Sequence, residues 1–300
     1  MPDIVSGDPF HAGERALQER AGVRERMAEL GARAIREHMP AQHRDFFALL
    51  PWLVIGSIDD AGQPWASALA GAPGFVRSPD PSTLRVEALP PPDTPLAAGL
   101  RPGAPLGLLG LQPHTRRRNR MNGTAVDCDP HGFSVQVQQS FGNCPQYIHM
   151  REAFYLGPET PAPPEALALL DADARALVGS ADTLFIASAY PAGPGGGVDV
   201  SHRGGAPGFV TQQPDGTLLL PDYAGNLFFN TLGNLREWPH AGLLFIDFES
   251  GDLLQIAVDA ELIWDGPLVS AHAGALRLLR LTPTAALRQR AGLALAWQTV

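Results

Sequence analysis

The sequence predicts a mainly β protein of the α+β class, in which two small antiparallel barrels follow each other along the chain with helices beside them. Short apolar runs separated by Gly, Pro or Asp turns recur through most of the 300 residues, which is typical of such barrels. The hexapeptide Gly-Ala-Pro-Gly-Phe-Val occurs twice, at 71–76 and again at 205–210. Because the apolar runs around each hexapeptide match in order, we infer that one unit has been duplicated.

The predicted strands fall into two matching series of short, apolar runs. In the first copy the strands are predicted at 52–58, 64–69, 84–88, 105–111 and 132–138, with an arginine-rich strand at 114–122 before the last. In the second copy they are predicted at 184–189, 198–202, 217–220, 241–246 and 252–258, followed by final strands at 276–281 and 293–297.

Helices are predicted before the first copy and between the copies. A broken apolar stripe among Glu and Arg predicts a helix over 13–39, and a second, short helix is predicted over 41–50. The segment 164–178 is predicted as an amphipathic helix. The predicted organisation is a helical segment at 1–45, a first, degenerate barrel at 46–155, a linker helix at 156–180 and a second, ligand-binding barrel at 181–300.

Composition excludes several classes of function. The net charge of −9 argues against a protein that wraps duplex nucleic acid. Two cysteines, Cys128 and Cys144, are too few for a disulfide framework or a cysteine-rich zinc site, and the nine histidines show no metal-ligand spacing. No apolar run is long enough for a bilayer span, and the first residues lack the apolar core of a signal peptide. We therefore expect a soluble, cytoplasmic protein without a metal.

Lysine is absent from the sequence, since all 22 basic side chains are arginines. This excludes catalysis through a lysine Schiff base and also excludes a phosphate-binding loop with its lysine. Any bound anion must therefore be held by arginine, by hydroxyl and amide groups, or by main-chain N–H groups.

The stretch 200–210 is the strongest candidate for a ligand site. Arg203 could pair with phosphate oxygens in a fork, and Ser201 adds a hydroxyl. Gly204 and Gly205 would let main-chain N–H groups approach a ligand closely. His202 alternates with these residues, which leaves open whether it faces the ligand or the other side of the strand. The alternative is that Ser201 and Arg203 cap a strand and pair with a surface carboxylate.

The two copies differ in polarity at this position. Ser67-Ala-Leu-Ala70 in the first copy corresponds to Ser201-His-Arg-Gly204 in the second. The second copy also carries Asn230, Thr231 and Asn234, which suit a helix N-cap and the phosphate site that a helix N-terminus offers. The second copy is therefore predicted to carry the ligand, and the first to have lost the polar set.

Three further features have plainer explanations. The arginines at 116–120 are interpreted as a solvated face or as a contact between barrels or subunits, in preference to a nucleic-acid site. Cys144 is interpreted as a small packed residue in preference to a redox group. The glycines at 193–197 are predicted to form a hairpin tip, because the context of a dinucleotide-binding loop is missing.

Over about residues 45–265 the chain resembles the pyridoxamine 5′-phosphate oxidase-like flavin-binding split barrels. The motifs that carry the resemblance are Ser-His-Arg-Gly-Gly at 201–205 with the following Pro-Gly-Phe-Val, Asp-Tyr-Ala-Gly-Asn at 222–226, and Asn-Thr-Leu-Gly-Asn-Leu at 230–235. The stretch Phe-Gly-Asn-Cys-Pro-Gln-Tyr-Ile at 141–148 is similar to the branch of the family that has two barrels in tandem.

The resemblance implies two tandem split β-barrels of the FMN-binding type, with FMN in the groove between them. It implies that second-barrel residues contact the phosphate or ribityl chain while residues from the end of the first barrel approach them. The implied cofactor-binding residues are Ser201, His202, Arg203, Gly204, Asn226, Asn230, Thr231, Asn234, Asn143, Gln146 and Tyr147. Because the chain lacks lysine and has no pyridoxal-phosphate-binding tail near Trp297, pyridoxamine phosphate is not the expected substrate.

The function that follows is an FMN-dependent oxidoreductase that acts on a small molecule of unknown identity. NADPH or NADH is a candidate reductant, a homodimer is a candidate assembly, and no catalytic side chain is assigned. A non-catalytic flavin or haem carrier on the same fold is the alternative. A degenerate protein that serves only in assembly is a third hypothesis.

Overall fold

The computed structural model describes residues 8–168, 170–190 and 197–300, and antiparallel β-structure dominates them. The predicted class, mainly β with flanking helices, is confirmed. The strands of the first half are β1 (Trp52–Ile58), β2 (Pro64–Ala70), β3 (Val76–Asp80), β4 (Thr83–Val86), β5 (Pro105–Gln112), β6 (Arg117–Asp129), β7 (Gly132–Gly142) and β8 (Arg151–Tyr155). Those of the second half are β9 (Glu165–Leu167), β10 (Thr183–Tyr190), β11 (Gly197–Gly204), β12 (Thr211–Gln212), β13 (Leu218–Asp222), β14 (His240–Ile246), β15 (Leu253–Ile263), β16 (Arg277–Gln289) and β17 (Leu295–Thr299).

The two large sheets have the same topology. The first has the order β2-β1-β5-β6-β7-β4-β3, and the second has the order β11-β10-β14-β15-β16-β13-β12. Strand for strand these orders are identical, which agrees with the internal repeat in the sequence. Within the described residues each order is an open path, and the short strand β9 adds to β16. A separate ribbon joins β8 to β17, so a segment after the first sheet pairs with the end of the chain.

The strand registers define which residues of the two sheets are equivalent. Ile55 pairs with Ser67 in the first sheet, and Ile186 pairs with Ser201 in the second. Likewise, Leu109 pairs with Arg120, and Leu244 pairs with Gln255. Ser67 is therefore equivalent to Ser201, and Arg120 is equivalent to Gln255.

The repeated hexapeptide is a structural turn. In the first copy the N–H of Phe75 donates to the carbonyl of Ala72, and in the second the N–H of Phe209 donates to Ala206, both at 2.9 Å. A Cβ at Gly71 or Gly205 would lie 2.4 or 2.6 Å from the following Phe side chain. The missing side chain of Gly205 therefore leaves room for a phenylalanine, and the expectation that its backbone approaches a ligand stays a prediction.

The sheets pack closely against each other through glycines. A Cβ on Gly107 of β5 would lie 2.7 Å from the carbonyl oxygen of Val198 in β11. At the equivalent position in β14, a Cβ on Gly242 would lie 2.4 Å from the carbonyl oxygen of Pro64 in β2. The contact is thus repeated with the roles of the two sheets exchanged. A buried cluster that includes Trp52 and Phe185 fills the space between the sheets.

The helices differ from the prediction in two places. The predicted helix 13–39 is wrong, because the chain forms α1 (Ala12–Arg20) and α2 (Arg24–Ala34), separated at Gly22, whose φ is +69°. The predicted helix 164–178 is also wrong, because 165–167 forms β9 and α5 (Ala172–Ser180) starts after the cap residue Asp171.

The remaining helices are α3 (Ala41–Ala48), α4 (Pro95–Gly99), α6 (Asn230–Glu237) and α7 (Pro267–Ser270), and α3 agrees with the helix predicted over 41–50. None of the helices in the described residues combines the length and apolar character that a bilayer crossing requires. The predicted hairpin tip at 193–197 lies outside the described residues except for Gly197, which begins β11.

Candidate functional site

A pocket of about 120 Å³ lies where β6 of the first sheet faces β11 and the start of α6. We call it the arginine pocket, because Arg118, Arg120, Arg203 and Arg277 line it. Ten of the predicted site residues also line it, namely Ser201, His202, Arg203, Gly204, Asn226, Asn230, Thr231, Asn143, Gln146 and Tyr147. The site therefore takes residues from both halves of the chain.

Arg120 lies at the buried centre of the contact between the halves. Its side chain forms a 2.6 Å ion pair with Asp199 and donates to the hydroxyl of Ser201. It also donates to Oδ1 of Asn230 at 2.8 Å. Because every one of these partners belongs to the second half, Arg120 fixes the position of β6 against β11 and α6.

Ser201 is occupied by protein partners. Its hydroxyl accepts from Arg120 and from the hydroxyl of Thr231 at 3.0 Å, and it donates to Asp199 at 3.2 Å. A serine hydroxyl can donate one hydrogen bond and accept two, so these three bonds leave it no free site for a ligand. Ser201 and Thr231 therefore act mainly by holding the wall of the pocket.

Arg203 shares a carboxylate with another arginine. Its Nη1 lies 2.7 Å from Oδ1 of Asp222, while Nε of Arg277 lies 2.9 Å from Oδ2 of the same side chain. The sequence alternative, in which Arg203 pairs with a carboxylate, is thus part of the structure. That carboxylate is largely buried, and Arg203 remains in the wall of the pocket.

Arg118 differs from the other arginines of the pocket, because it has no carboxylate partner among the described residues. Its Nη1 donates to Nδ1 of His202 at 2.9 Å. An arginine can only donate, so Nδ1 of His202 accepts and the proton of the neutral ring lies on Nε2. Burial lowers the pKa of His202 well below its ordinary value, with the nearby Arg118 acting in the same direction. Burial likewise lowers the pKa of Arg118 to about 10.

Several buried donors in this wall have no acceptor among the described residues. They are Nε of Arg118, Nε of Arg120, Nε of Arg203 and Nδ2 of Asn143. Leaving a buried donor unpaired is unfavourable by about 1–3 kcal/mol. The first turn of α6, which also lines the pocket through Asn230, Thr231 and Leu232, adds the N–H groups that a helix N-terminus leaves unpaired. The wall of the pocket thus contains unpaired donors and excess positive charge.

Gly204 and Tyr147 join the segment 143–147 to the edge of β11. A Cβ on Gly204 would lie 2.1 Å from the carbonyl oxygen of Tyr147. The close approach that this glycine permits is to another part of the chain, and its contact with a ligand stays a prediction. The ring of Tyr147 stacks on Tyr223, with centroids 5.3 Å apart.

A wider groove adjoins the arginine pocket and shares Gln146, Tyr147 and Tyr223 with it. We call it the outer groove; its volume is about 910 Å³, and its walls include Arg116, His149, Arg151 and Asp182. Pocket and groove therefore have part of one wall in common.

Asn234 is the one predicted site residue outside the pocket. It lies a helical turn beyond Asn230, where its Oδ1 is 2.9 Å from Nε2 of His11 and its amide donates to Ser188 at 3.0 Å. One turn moves a side chain about 5.4 Å along the helix, which places Asn234 against α1 and β10. Its polar side chain joins elements of the fold and does not reach the pocket.

The sequence interpretation missed the arginines of the first half as site residues. Arg118 and Arg120 fall within the cluster interpreted as a solvated face or as a contact between barrels or subunits, and both contact residues of the second half of the chain. Arg116 precedes β6 and does not share their face. Two features of the sequence could have indicated them. Arg118 and Arg120 are two residues apart and so share one face of a strand, and the equivalent residues of the second copy, Leu253 and Gln255, are uncharged.

Comparison with protein-family models finds no match, and comparison with curated proteins finds none either. Among solved structures, Group A Streptococcus HupZ is 11% identical with a TM-score of 0.32, over 39% of this chain and 92% of that chain. A putative pyridoxamine 5′-phosphate oxidase from Lactobacillus delbrueckii is 16% identical with a TM-score of 0.29, over 35% of this chain and 95% of that one. HutZ, the heme storage protein from Vibrio cholerae, is 18% identical with a TM-score of 0.28, over 38% of this chain and 90% of that one. Because these TM-scores lie below 0.5, we base no assignment on them.

Proposed function

We propose that the chain is an FMN-dependent oxidoreductase whose arginine pocket holds the flavin phosphate. In this proposal the two large sheets belong to tandem split barrels, at 46–155 and 181–300, with a helical segment at 1–45 and a linker at 156–180. The matching strand orders support the tandem arrangement. The flavin itself is inferred from the family resemblance of the motifs at 201–205 and 230–235.

The observation that carries the proposal is Arg118, a guanidinium in the pocket wall with no carboxylate partner among the described residues. Asp199 pairs with Arg120, and Asp222 is shared by Arg203 and Arg277. The cluster therefore has four cations and two carboxylates in the described residues. A phosphate monoester, with a charge near −2, would neutralise the excess and accept hydrogen bonds from the unpaired donors.

The arginine pocket and the outer groove together suit FMN in size, and the arginines suit it in charge. A space of about 120 Å³ suits a phosphate group, whereas a three-ring flavin needs more room. The remainder of the molecule would extend past Tyr147 and Tyr223 into the outer groove. When bound, the flavin supplies the transfer of electrons or hydride, and the protein supplies binding and orientation.

The roles of individual side chains follow from their contacts. Arg118, Arg203 and the amide of Asn143 would bind phosphate oxygens directly, together with N–H groups of the first α6 turn. Arg120, Ser201 and Thr231 would hold the wall in place. Neutral His202, fixed by Arg118, would present its Nε2–H as a donor. The cytoplasmic location, a homodimer and NADPH or NADH as reductant stay predictions within this proposal.

The first experiment is a visible absorption spectrum after FMN addition and desalting, followed by titrations of FMN and riboflavin. We expect retained flavin bands. Arg118→Met should weaken FMN binding by about 10–150-fold, the loss of a charge-assisted contact, and should leave riboflavin, which has no phosphate, unaffected. Equal FMN affinity in wild type and variant would refute the phosphate assignment. A Soret band in the purified protein would favour the haem carrier, and retained FMN that NADPH and NADH cannot reduce would favour a flavin carrier.

A further inference from the structure

We infer that the outer groove binds the redox partner of the flavin on its Arg116 side, beside the part of the flavin that extends into it, and that this partner is a small molecule with a planar apolar body and an anionic group held by Arg116. The inference rests on the proposed function and concerns the substrate class of the same site. Arg116, Tyr147 and Tyr223 carry the argument, because all of them line the groove.

Arg116 has a backbone conformation that arginine rarely adopts. A single 3-10 turn at Pro113–Thr115 precedes it, and its N–H donates to the carbonyl of Pro113 at 3.0 Å. Its φ of +52° lies in the left-handed region, where glycine or asparagine is favoured. The side chain is exposed, and among the described residues no carboxylate pairs with it. A strained residue that presents an unpaired charge to a groove indicates a use for that charge.

Tyr147 shows the same combination of backbone strain and exposure. Its φ is +62°, which is unusual for an aromatic residue, and its backbone lies against Gly204. The side chain remains 41% exposed although its ring stacks on Tyr223, with an angle of 29° between the ring planes. Two stacked tyrosines beside the arginine pocket offer an apolar, flat surface to a planar molecule.

Arg151, His149 and Asp182 of the groove are engaged with each other. Arg151 forms an ion pair with Asp182, and Nδ1 of His149 lies 3.6 Å from the same carboxylate. Nε2 of His149 donates to the carbonyl of Gly205 at 2.7 Å, so this nitrogen carries a proton. Arg116 is therefore the groove's unpaired cation among the described residues, and a carboxylate or phosphate group on the ligand would complete it.

The test uses a matched pair of probes, 2-naphthoate and its neutral analogue 2-naphthamide, titrated calorimetrically into FMN-loaded protein. Wild type should bind the anion at least 10-fold more tightly than the amide. Arg116→Asn, which suits the left-handed backbone, should abolish that preference, and Arg116→Lys should retain part of it. Arg101→Asn is the control, because Arg101 is exposed, does not line the groove and pairs with Asp60 at 2.9 Å.

The outcomes separate this inference from the proposed function. The titrations are repeated on protein without FMN, and FMN retention is scored independently from the visible spectrum. If protein that retains no FMN prefers 2-naphthoate to 2-naphthamide and this preference depends on Arg116, the groove binds the anion and FMN is not the cofactor. Retained FMN with no binding of 2-naphthoate, or with equal binding in wild type and Arg116→Asn, would overturn the inference alone.

Discussion

Gln255 donates a hydrogen bond to the hydroxyl of Ser67 at 2.9 Å, and this pair is the counterpart of Arg120 and Ser201 in the arginine pocket. Both pairs cross between the sheets, in opposite directions, as the strand registers require. The contact between the halves therefore contains two equivalent positions. One carries a charged cluster, and the other carries a neutral pair.

The second position lacks charged groups of the kind that line the arginine pocket. At this position Leu253 is equivalent to Arg118, Leu69 to Arg203 and Trp65 to Asp199. A duplicated unit starts with two identical interfaces, so the present asymmetry shows that the two positions have diverged. The arginines of the pocket are divided between the copies, with Arg118 and Arg120 from the first and Arg203 and Arg277 from the second.

We predict that one FMN binds per chain. The position around Ser67 and Gln255 has no arginine or carboxylate in place of Arg118, Arg203 and Asp199, so a phosphate there would be buried without a counter-ion. Isothermal titration calorimetry of ligand-free protein should give a stoichiometry near one. A stoichiometry near two, maintained in Arg118→Met, would show that a second site binds flavin without the arginine pocket.

We predict that Arg120 and Arg118 affect stability differently. Arg120→Met leaves the buried carboxylate of Asp199 without its cation, and loss of one partner of a buried ion pair destabilises a fold by about 3–5 kcal/mol. Arg118→Met removes no such partner and should change the free energy of unfolding by about 1 kcal/mol or less. Urea unfolding of ligand-free protein measures both. Similar losses in the two variants would mean that Arg118 stabilises the fold as strongly as the ion pair of Arg120 does.

We predict that Gly204→Ala destabilises the protein by about 1–3 kcal/mol, because the new methyl group would displace the backbone of Tyr147. Displacement of this segment should also weaken FMN binding. Gly179→Ala is the matched control, since Gly179 lies at the exposed end of α5 and a Cβ there meets no backbone, only Nε2 of Gln212 at 3.3 Å. The control should change the free energy of unfolding by less than about 1 kcal/mol. A neutral Gly204→Ala would show that the segment moves freely.

Glu14 makes stability depend on pH. Burial raises its pKa from 4.5 to about 8, although it accepts hydrogen bonds from the N–H of His11 and the amide of Asn230. Between these values the folded chain keeps a proton that the unfolded chain has released, so stability falls as pH rises through this range. We expect a loss of about 2 kcal/mol between pH 6.5 and 8.

The Glu14→Gln variant should lose this pH dependence, because glutamine keeps the size of the side chain and does not ionise. Melting temperatures at pH 6.5 and 8 measure the effect, and this interval avoids His11, whose pKa burial lowers to about 4. Glu29→Gln, on the exposed surface of α2, is the control and should follow wild type. An equal fall in wild type and Glu14→Gln would assign the pH dependence to another group.

The sequence by itself determined the class of the fold, the duplication and most strands. The run 52–58 forms β1 with the predicted bounds, because consecutive apolar residues between turn signals are a local pattern. It also indicated the polar stretch 201–204 and the asymmetry between the copies, since both are differences in side-chain type. The break at Gly22 was missed because the apolar period continued across it.

The tertiary structure alone decided how the site is assembled. Arg118 and Arg120 line the arginine pocket and Asn234 does not, because their positions depend on how one sheet packs against the other and against α1. Residue spacing fixes which side chains share a strand face, but it contains no distance between residues far apart in the chain. That distance is set by the glycine contacts between the sheets, where Gly107 and Gly242 allow the backbones to approach and bring the arginines of one half to the serine and helix of the other.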